Sequence, residues 1–232
     1  KVAANSFLAT KISFINAIAE VAEASGADAT KLAEAIGYDE RIGNKFLRNG
    51  IGFGGGCLPK DIRGFIARAD ELGVDSIGKF LGEVDSINLA RRTRVVTLAR
   101  QELGSLAGKK ITVLGAAFKP DTDDIRDSPA ITIASELTAG GANVVVHDPI
   151  SLPGVRVMYP SLATEENLTE ALRDAELVIL ATEWKLYREL NPADTKALVK
   201  TATIIDGRNY LRLDEFASAG WRTIALGRNL AN

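Results

Sequence analysis

The sequence predicts an α/β protein in which a helical region precedes a doubly wound, mostly parallel sheet. Three observations carry this. Apolar residues recur at helical spacing through the first hundred positions. One helical stretch, from about Ser76 to Glu102, runs without a break. From Lys110 onward, short apolar runs alternate with candidate helices. Such alternation lays strands side by side in parallel, with crossover helices covering both faces of the sheet.

Phe7, Leu8, Ile12, Ile15, Ile18, Ala19 and Ala22 define the first helix, and Gly26 is placed to end it. A short helix follows, from Asp28 as N-cap to Gly37 as C-terminal glycine. Arg41 to Gly56 is irregular and rich in glycine, and Pro59 suits the first turn of a helix reaching Gly73. The long stretch takes Ile77, Phe80, Leu81, Val84, Ile87, Val95 and Leu98 as its apolar positions. At 1.5 Å per residue it spans roughly 40 Å, which suits a connector between domains or a dimer surface. Strands are expected at Lys110–Gly115, Asn143–His147, Leu177–Ala181, Thr203–Asp206 and Thr223–Leu226. Helices are expected near Pro129–Ala139, Thr164–Arg173, Pro192–Lys200 and Asp214–Ala219. The pattern changes near Gly104–Lys109, which divides the chain into residues 1–104 and 105–232.

With 46% hydrophobic and 25% charged residues, the chain has the composition of a soluble globular protein able to bury a core. A formal net charge of −2 favours neither nucleic acid nor an anionic membrane as partner. No apolar run is read as long enough for a membrane span, and Lys1-Val-Ala-Ala-Asn5 does not begin a signal peptide. The first residue is not Met, so a fragment of a longer protein is expected. One cysteine excludes an internal disulfide framework and fits a reducing cytoplasm; with a single histidine it also argues against structural zinc.

Gly52-Phe-Gly-Gly-Gly-Cys-Leu-Pro-Lys-Asp61 is the strongest local signal. Its glycines let a ligand approach the backbone. Cys57 then stands at the start of a helix, where the partly positive N-terminus favours a thiolate. Lys60 adds positive charge, and Asp61 lies in the first turn, able to face the sulfur or a bound water. A buried cysteine beside a glycine turn, with Asp61 offsetting the helix dipole, accounts for the same residue types. Lys1 and Asn5 share a helix face, a pair suited to polarising an oxygen, although residue types alone favour an exposed helix start.

Six segments stand in one order along the chain: Lys1-Val-Ala-Ala-Asn-Ser-Phe-Leu-Ala9, Arg41-Ile-Gly-Asn-Lys-Phe-Leu47, the Gly52–Asp61 loop, Gly115-Ala-Ala-Phe-Lys-Pro-Asp-Thr122, Ala181-Thr-Glu-Trp184 and Asp206-Gly-Arg208. Together they resemble the UDP-glucose dehydrogenase family, within the wider UDP-glucose/GDP-mannose dehydrogenase group. The resemblance implies a helical central dimerisation domain followed by a Rossmann-like UDP-binding domain. It implies that the family's N-terminal NAD domain, with its glutamate, lies outside this chain, so the isolated chain is expected to be inactive. Gly115-Ala-Ala-Phe118 lacks the spacing of a dinucleotide fingerprint.

The implied reaction, in nucleotide-sugar metabolism and polysaccharide biosynthesis, takes UDP-glucose to UDP-glucuronate by two hydride transfers to NAD. Cys57 forms a thiohemiacetal and then a thioester, which splits a four-electron oxidation into steps. Lys1 stabilises oxyanion charge, and Asn5 and Asp61 hold the water. Phe118, Lys119 and Arg208 bind the nucleotide, while Lys45, Phe46, Leu47, Arg48 and the Phe53–Gly54 backbone line the sugar-phosphate side. Arg41 reaches in from the second subunit of a homodimer built on the long helix, and Arg126 contacts NAD. The alternatives are a GDP-mannose or UDP-N-acetylmannosamine dehydrogenase, a non-catalytic sugar-nucleotide module and a dimerisation scaffold; Cys-Leu-Pro-Lys-Asp61 and Ser6-Phe-Leu-Ala9 fit the UDP-glucose branch better.

Elsewhere, Asp121, Asp123, Asp124 and Asp127 offer oxygen ligands for a hard cation, but Ser128-Pro129 reads as a helix start and the family needs no metal. His147 is expected to be a turn residue, Trp184 a packing residue, and Arg91, Arg92 and Arg94 a solvated helix face.

Overall fold

The computed structural model describes residues 1–228. The helical region holds α1 (Val2–Ser25), α2 (Ala29–Gly37), α3 (Leu58–Glu71) and α4 (Asp75–Leu103). Gly26 ends α1 in the left-handed conformation at φ 79°, as its position predicts. The Asp28 carboxylate caps α2 by accepting from the N–H groups of Thr30 and Lys31, which stabilises the helix by about 1 kcal/mol. Helices α1, α3 and α4 pack around Ala9, Phe53, Ile62, Leu81 and Val84.

The sheet region continues as β1 (Lys110–Leu114), α5 (Pro129–Ala139), β2 (Asn143–His147), α6 (Leu152–Met158), β3 (Ala163–Thr164), α7 (Leu168–Leu172) and β4 (Leu177–Leu180). After these come α8 (Lys185–Arg188), α9 (Pro192–Lys196), β5 (Thr203–Asp206), α10 (Leu213–Ser218) and β6 (Arg222–Ala225). All neighbouring strands are parallel, in the order β3-β2-β1-β4-β5-β6. This is the doubly wound order, whose switch point lies between β1 and β4. Every residue of β4 and β5 is buried, as a sheet covered on both faces requires. One core joins that sheet to α5 and also takes Val95, Val96 and Ala99 of α4; the other, on Tyr187, Phe216 and Trp221, fills the opposite face.

Several expectations are corrected. Helix α1 is, by length and composition, apolar enough to cross a bilayer, at 24 residues and mean hydropathy 1.3. Its inner face nonetheless carries buried Ser6, Ser13 and Asn16 and packs on α2, α3 and α4. The helix expected from Thr164 starts at Leu168, because Ala163 and Thr164 pair with Val145 and Val146 as β3 and Asn167 provides the cap. Helices α6 and α8 were not expected. His147 is the last residue of β2, buried, with Nδ1 2.8 Å from the Tyr187 hydroxyl. The largest correction concerns α4. Arg91 is 0% exposed and Arg92 3%, so these two side chains lie inside the protein and only Arg94 is partly solvated.

Candidate active site

Helix α3 begins immediately after Cys57, which occupies its N-cap and is exposed. One turn on, Asp61 turns toward the start of α1. The Asn5 amide donates to its carboxylate at 2.6 Å, and the Lys1 ammonium lies 3.3 Å from the same oxygen. The Asn5 hydrogen bond lowers the Asp61 carboxyl below its ordinary value; partial burial opposes this, and the charges of Lys1 and Lys60 reinforce it. Asp61 is therefore an ionised acceptor near neutral pH. Two segments 56 positions apart thus converge beside the thiol-bearing turn.

The glycine loop needs its small residues. Gly52 has φ +85°, and a Cβ there would overlap the Asn88 side chain. A Cβ on Gly55, also at φ +85°, would stand 2.8 Å from the Phe118 ring. Gly55 N–H donates to the Arg126 carbonyl at 2.9 Å, joining this loop to the one that follows β1.

Between the two regions lies a cavity of about 970 Å³, large enough for a nucleotide sugar. Lys45, Phe46, Leu47, Arg48, Phe53 and Gly54 line it from the helical side. Phe118, Lys119 and Arg208 line it from the sheet side, with the Lys119 ammonium 5.5 Å from the Phe118 ring centre. Arg208 is held at the mouth of β5 by bonds to the Ala181 and Gly52 carbonyls, both 2.8 Å. Gly54 and Leu58 belong to the lining, whereas Cys57 lies at its edge, outside it.

Lys1, Asn5 and Asp61, like Cys57, are not part of the lining, and two further expected residues, Arg41 and Arg126, are also outside it. The Arg41 side chain is 89% exposed and pairs with Asp39 at 2.6 Å. Arg126 pairs with Asp124 at 2.7 Å and packs its guanidinium over Gly56. Asp127 pairs with Arg63 and Arg92, each at 2.8 Å, and among the described residues no acidic, His or Cys group is placed to hold a metal ion. The sequence reading missed Thr30, Glu34, Arg188, Asn209 and Tyr210 in the lining. Asn209 and Tyr210 directly follow Asp206-Gly-Arg208, so extending that motif by two residues finds them. Arg188, 5.1 Å from the Tyr210 ring centre, gives no sequence signal because α8 is a single turn.

A pyrophosphate on a doubly wound sheet rests on free N–H groups at the end of the first strand. Here Ala116 and Ala117 N–H donate to the buried Asp148 carboxylate at 2.8 and 3.1 Å, and the Trp184 indole N–H binds the same oxygen at 3.1 Å. Thr182 occupies the space beside Gly115. This strand end does not fit NAD.

Comparison with known proteins gives one answer in sequence and in structure. Family models of the UDP-glucose/GDP-mannose dehydrogenase family match residues 1–90 (central domain) and residues 112–213 (UDP binding domain). UDP-glucose 6-dehydrogenase TuaD of Bacillus subtilis is 40% identical over 229 residues, 98% of this chain and 49% of the relative. A UDP-glucose dehydrogenase structure from Pyrobaculum islandicum superposes with TM-score 0.88 at 34% identity, covering 99% of this chain and 50% of the other. An NDP-N-acetyl-D-galactosaminuronic acid dehydrogenase structure from Methanosarcina mazei gives TM-score 0.84 at 30% identity, with the same coverage. The chain spans about half the length of the curated relatives it matches.

Proposed function

The chain belongs to the UDP-glucose/GDP-mannose dehydrogenase family, and on that premise we propose that it supplies the sugar-nucleotide site and the nucleophile of an enzyme oxidising UDP-glucose to UDP-glucuronate. The observation that carries this reading is the meeting of Lys1, Asn5 and Asp61 one turn from Cys57, beside a cavity shared by both regions. NAD, the hydride acceptor of the reaction, is held by polypeptide outside residues 1–232.

In this reading Phe118, Lys119 and Arg208 hold the nucleotide, and Lys45 to Arg48 with the Phe53–Gly54 backbone hold the sugar-phosphate side. The Cys57 thiolate adds to the C6 aldehyde, and the aldehyde oxygen takes up a proton as the carbon–sulfur bond forms. Once that adduct has been oxidised to a thioester, water attacks its carbonyl carbon, the carbon–sulfur bond breaks, the sulfur leaves as thiolate, and the water's two protons pass to solvent as the carboxylate forms. Lys1 faces the oxygen that gathers negative charge. Asp61, ionised and fixed by Asn5, accepts a hydrogen bond from the attacking water and aligns it.

Two copies pair through the helical region, a reading supported by the large apolar side chains that α1 and α4 leave exposed, Phe7, Phe14 and Phe80. Arg41 then approaches the partner's cavity. A single thiol and a water-soluble substrate fit a cytoplasmic enzyme.

The test compares Cys57→Ala with the parent, in the assembled enzyme and in this chain. UDP-glucose binding by calorimetry is expected to persist while turnover is lost; near-normal turnover ends the covalent reading. The chain alone is expected to bind UDP-glucose and to leave NAD unreduced, and saturable NAD binding would count against the reading. The second reading, another nucleotide sugar, is favoured by the likeness to the N-acetyl-galactosaminuronic acid dehydrogenase; it wins if an N-acetylated UDP-hexosamine outcompetes UDP-glucose.

A further inference from the structure

Three polar residues lie on one face of α4, inside the protein: Asn88, Arg91 and Arg92. Each is spent on the backbone of the glycine loop. The Asn88 amide oxygen accepts from Phe53 N–H at 2.7 Å, and the same amide donates back to the Phe53 carbonyl at 3.0 Å. Both backbone groups of Phe53 are thus paired by one side chain, much as a neighbouring strand would pair them. Arg92 adds a donor to that carbonyl at 3.1 Å, and its guanidinium also reaches Thr132 Oγ1, the Asp127 carbonyl and the Asp127 carboxylate. Arg91 donates to the Gly50 carbonyl at 3.3 Å.

We propose that Asn88 and Arg92 are positioning residues for the sugar-facing loop, fixing the Phe53–Gly54 backbone against the nucleotide's sugar without touching the substrate. A loop of glycines has no side chains with which to fix itself, and Gly52 is at φ +85°. At Phe53 its order is imported from α4. Arg92 further ties this loop to Asp127 and to Thr132 at the start of α5, so one guanidinium sets the spacing between the sugar side and the nucleotide side. The inference rests on the substrate reading above, which assigns the Phe53–Gly54 backbone to the sugar. Arg208 and Lys119 keep their own supports, the Ala181 carbonyl for Arg208 among them. Arg208 also donates to the Gly52 carbonyl beside Phe53, so disturbing Asn88 acts first on the sugar and reaches the nucleotide only through that second bond, with the Ala181 bond intact.

The experiment measures UDP and UDP-glucose affinities by calorimetry for the parent chain, Asn88→Ala and Arg92→Lys. Leaving the Phe53 pair unmade is expected to weaken UDP-glucose about tenfold in Asn88→Ala, with UDP changed less than about twofold. Arg92→Lys keeps the charge opposite Asp127 but loses the forked donors, and is expected to fall between parent and Asn88→Ala. Equal weakening of both ligands, or no weakening, overturns the proposal. A parent chain that binds neither ligand overturns the substrate reading instead. Amide exchange gives a check without ligand: Phe53 N–H is expected to exchange as slowly as the middle of α4 in the parent and at least tenfold faster in Asn88→Ala, which removes its acceptor. Rapid exchange of that amide in the parent overturns the positioning role.

Discussion

The glycine loop of the helical region and the strand ends of the sheet region secure irregular backbone with different side chains, arginines and amides in the one and carboxylates in the other. In the loop, side-chain donors hold carbonyls: Arg91 holds Gly50, Arg208 holds Gly52, and Asn88 and Arg92 hold Phe53. At the strand ends, buried carboxylates collect N–H groups. Asp148 accepts from Ala116, Ala117, Ile150 and Ser151, and Asp206 from Arg208, Tyr210 and Leu211. Buried backbone polar groups must be paired, and the difference lies in what each region has left to offer a ligand. The sheet has used these N–H groups on its own carboxylates, and among the cations it leaves lining the cavity are the side chains of Lys119 and Arg208, those assigned to the nucleotide in the proposed function. In the proposed reading, the nucleotide site of this chain and the dinucleotide sites of doubly wound sheets therefore rest on different groups despite a shared strand order.

Removing the anchors tests this contrast. The largest loss is expected for Asp148→Ala, which leaves four backbone N–H groups and the Trp184 indole without their acceptor. A destabilisation of about 4 kcal/mol in urea unfolding is expected. A loss below about 1 kcal/mol would mean that water replaces the carboxylate easily and that the strand end is not closed.

Next comes Arg91→Ala, in the opposite region. Its guanidinium pairs with Glu20 and Glu23, each at 3.3 Å. Burial raises the Glu23 carboxyl, but Gly227 N–H, Arg91 and Arg94 together outweigh it and hold the group below its ordinary value. Since Arg94 and Gly227 remain, a loss of about 3 kcal/mol is expected, at the low end for breaking a buried pair. An unchanged unfolding midpoint would show that Glu23 is held without Arg91.

The smallest effect concerns pH, at the opposite end of the sheet from the cavity. Hydrogen bonds from Lys109 and from Lys110 N–H outweigh partial burial and, with Lys200, bring Glu176 down from 4.5 to about 2. A depressed carboxylate stabilises the fold fully above its unfolded value and loses that contribution as pH falls toward the folded one. Stability from Glu176 is therefore expected to fade between about pH 4.5 and pH 2. Lys109→Met should narrow that window and cost about 1 kcal/mol at pH 7, read from urea midpoints across the range. Identical acid limbs in the two proteins would remove Lys109 from the account.

Most of the fold was legible in the sequence, because the strands of the sheet are short continuous apolar runs and the helices carry caps such as Asp28 and Gly26. The two-residue β3 was not, since its pairing depends on β2 rather than on its own residues. Helix α6 was hidden by Pro153 and Gly154 inside it. In the candidate site the glycine loop stood out by itself, whereas Lys1 and Asn5 were singled out by the family resemblance, since residue types alone favour an exposed helix start. The buried arginines did not, although a signal existed. Leu81, Val84, Asn88, Arg91 and Val95 continue one three-and-four spacing along α4, and the helix buries that stripe without regard to polarity. Charge led to a solvated reading where position indicated a core.

That stripe also restricts how α4 can change in length. Its front half anchors the loop through Asn88 and Arg92, and its rear half, at Val95, Val96 and Ala99, lies in the core of the sheet. Inserting or deleting one residue after Thr93 would turn one half against the other by roughly 100° and aim three buried side chains at water. A change of about seven residues, two turns, is the shortest that nearly restores the facing, and it displaces the sheet from the loop by about 10 Å. The helix is thus a gauge as well as a support, and the separation it sets is the width of the cleft a substrate must span.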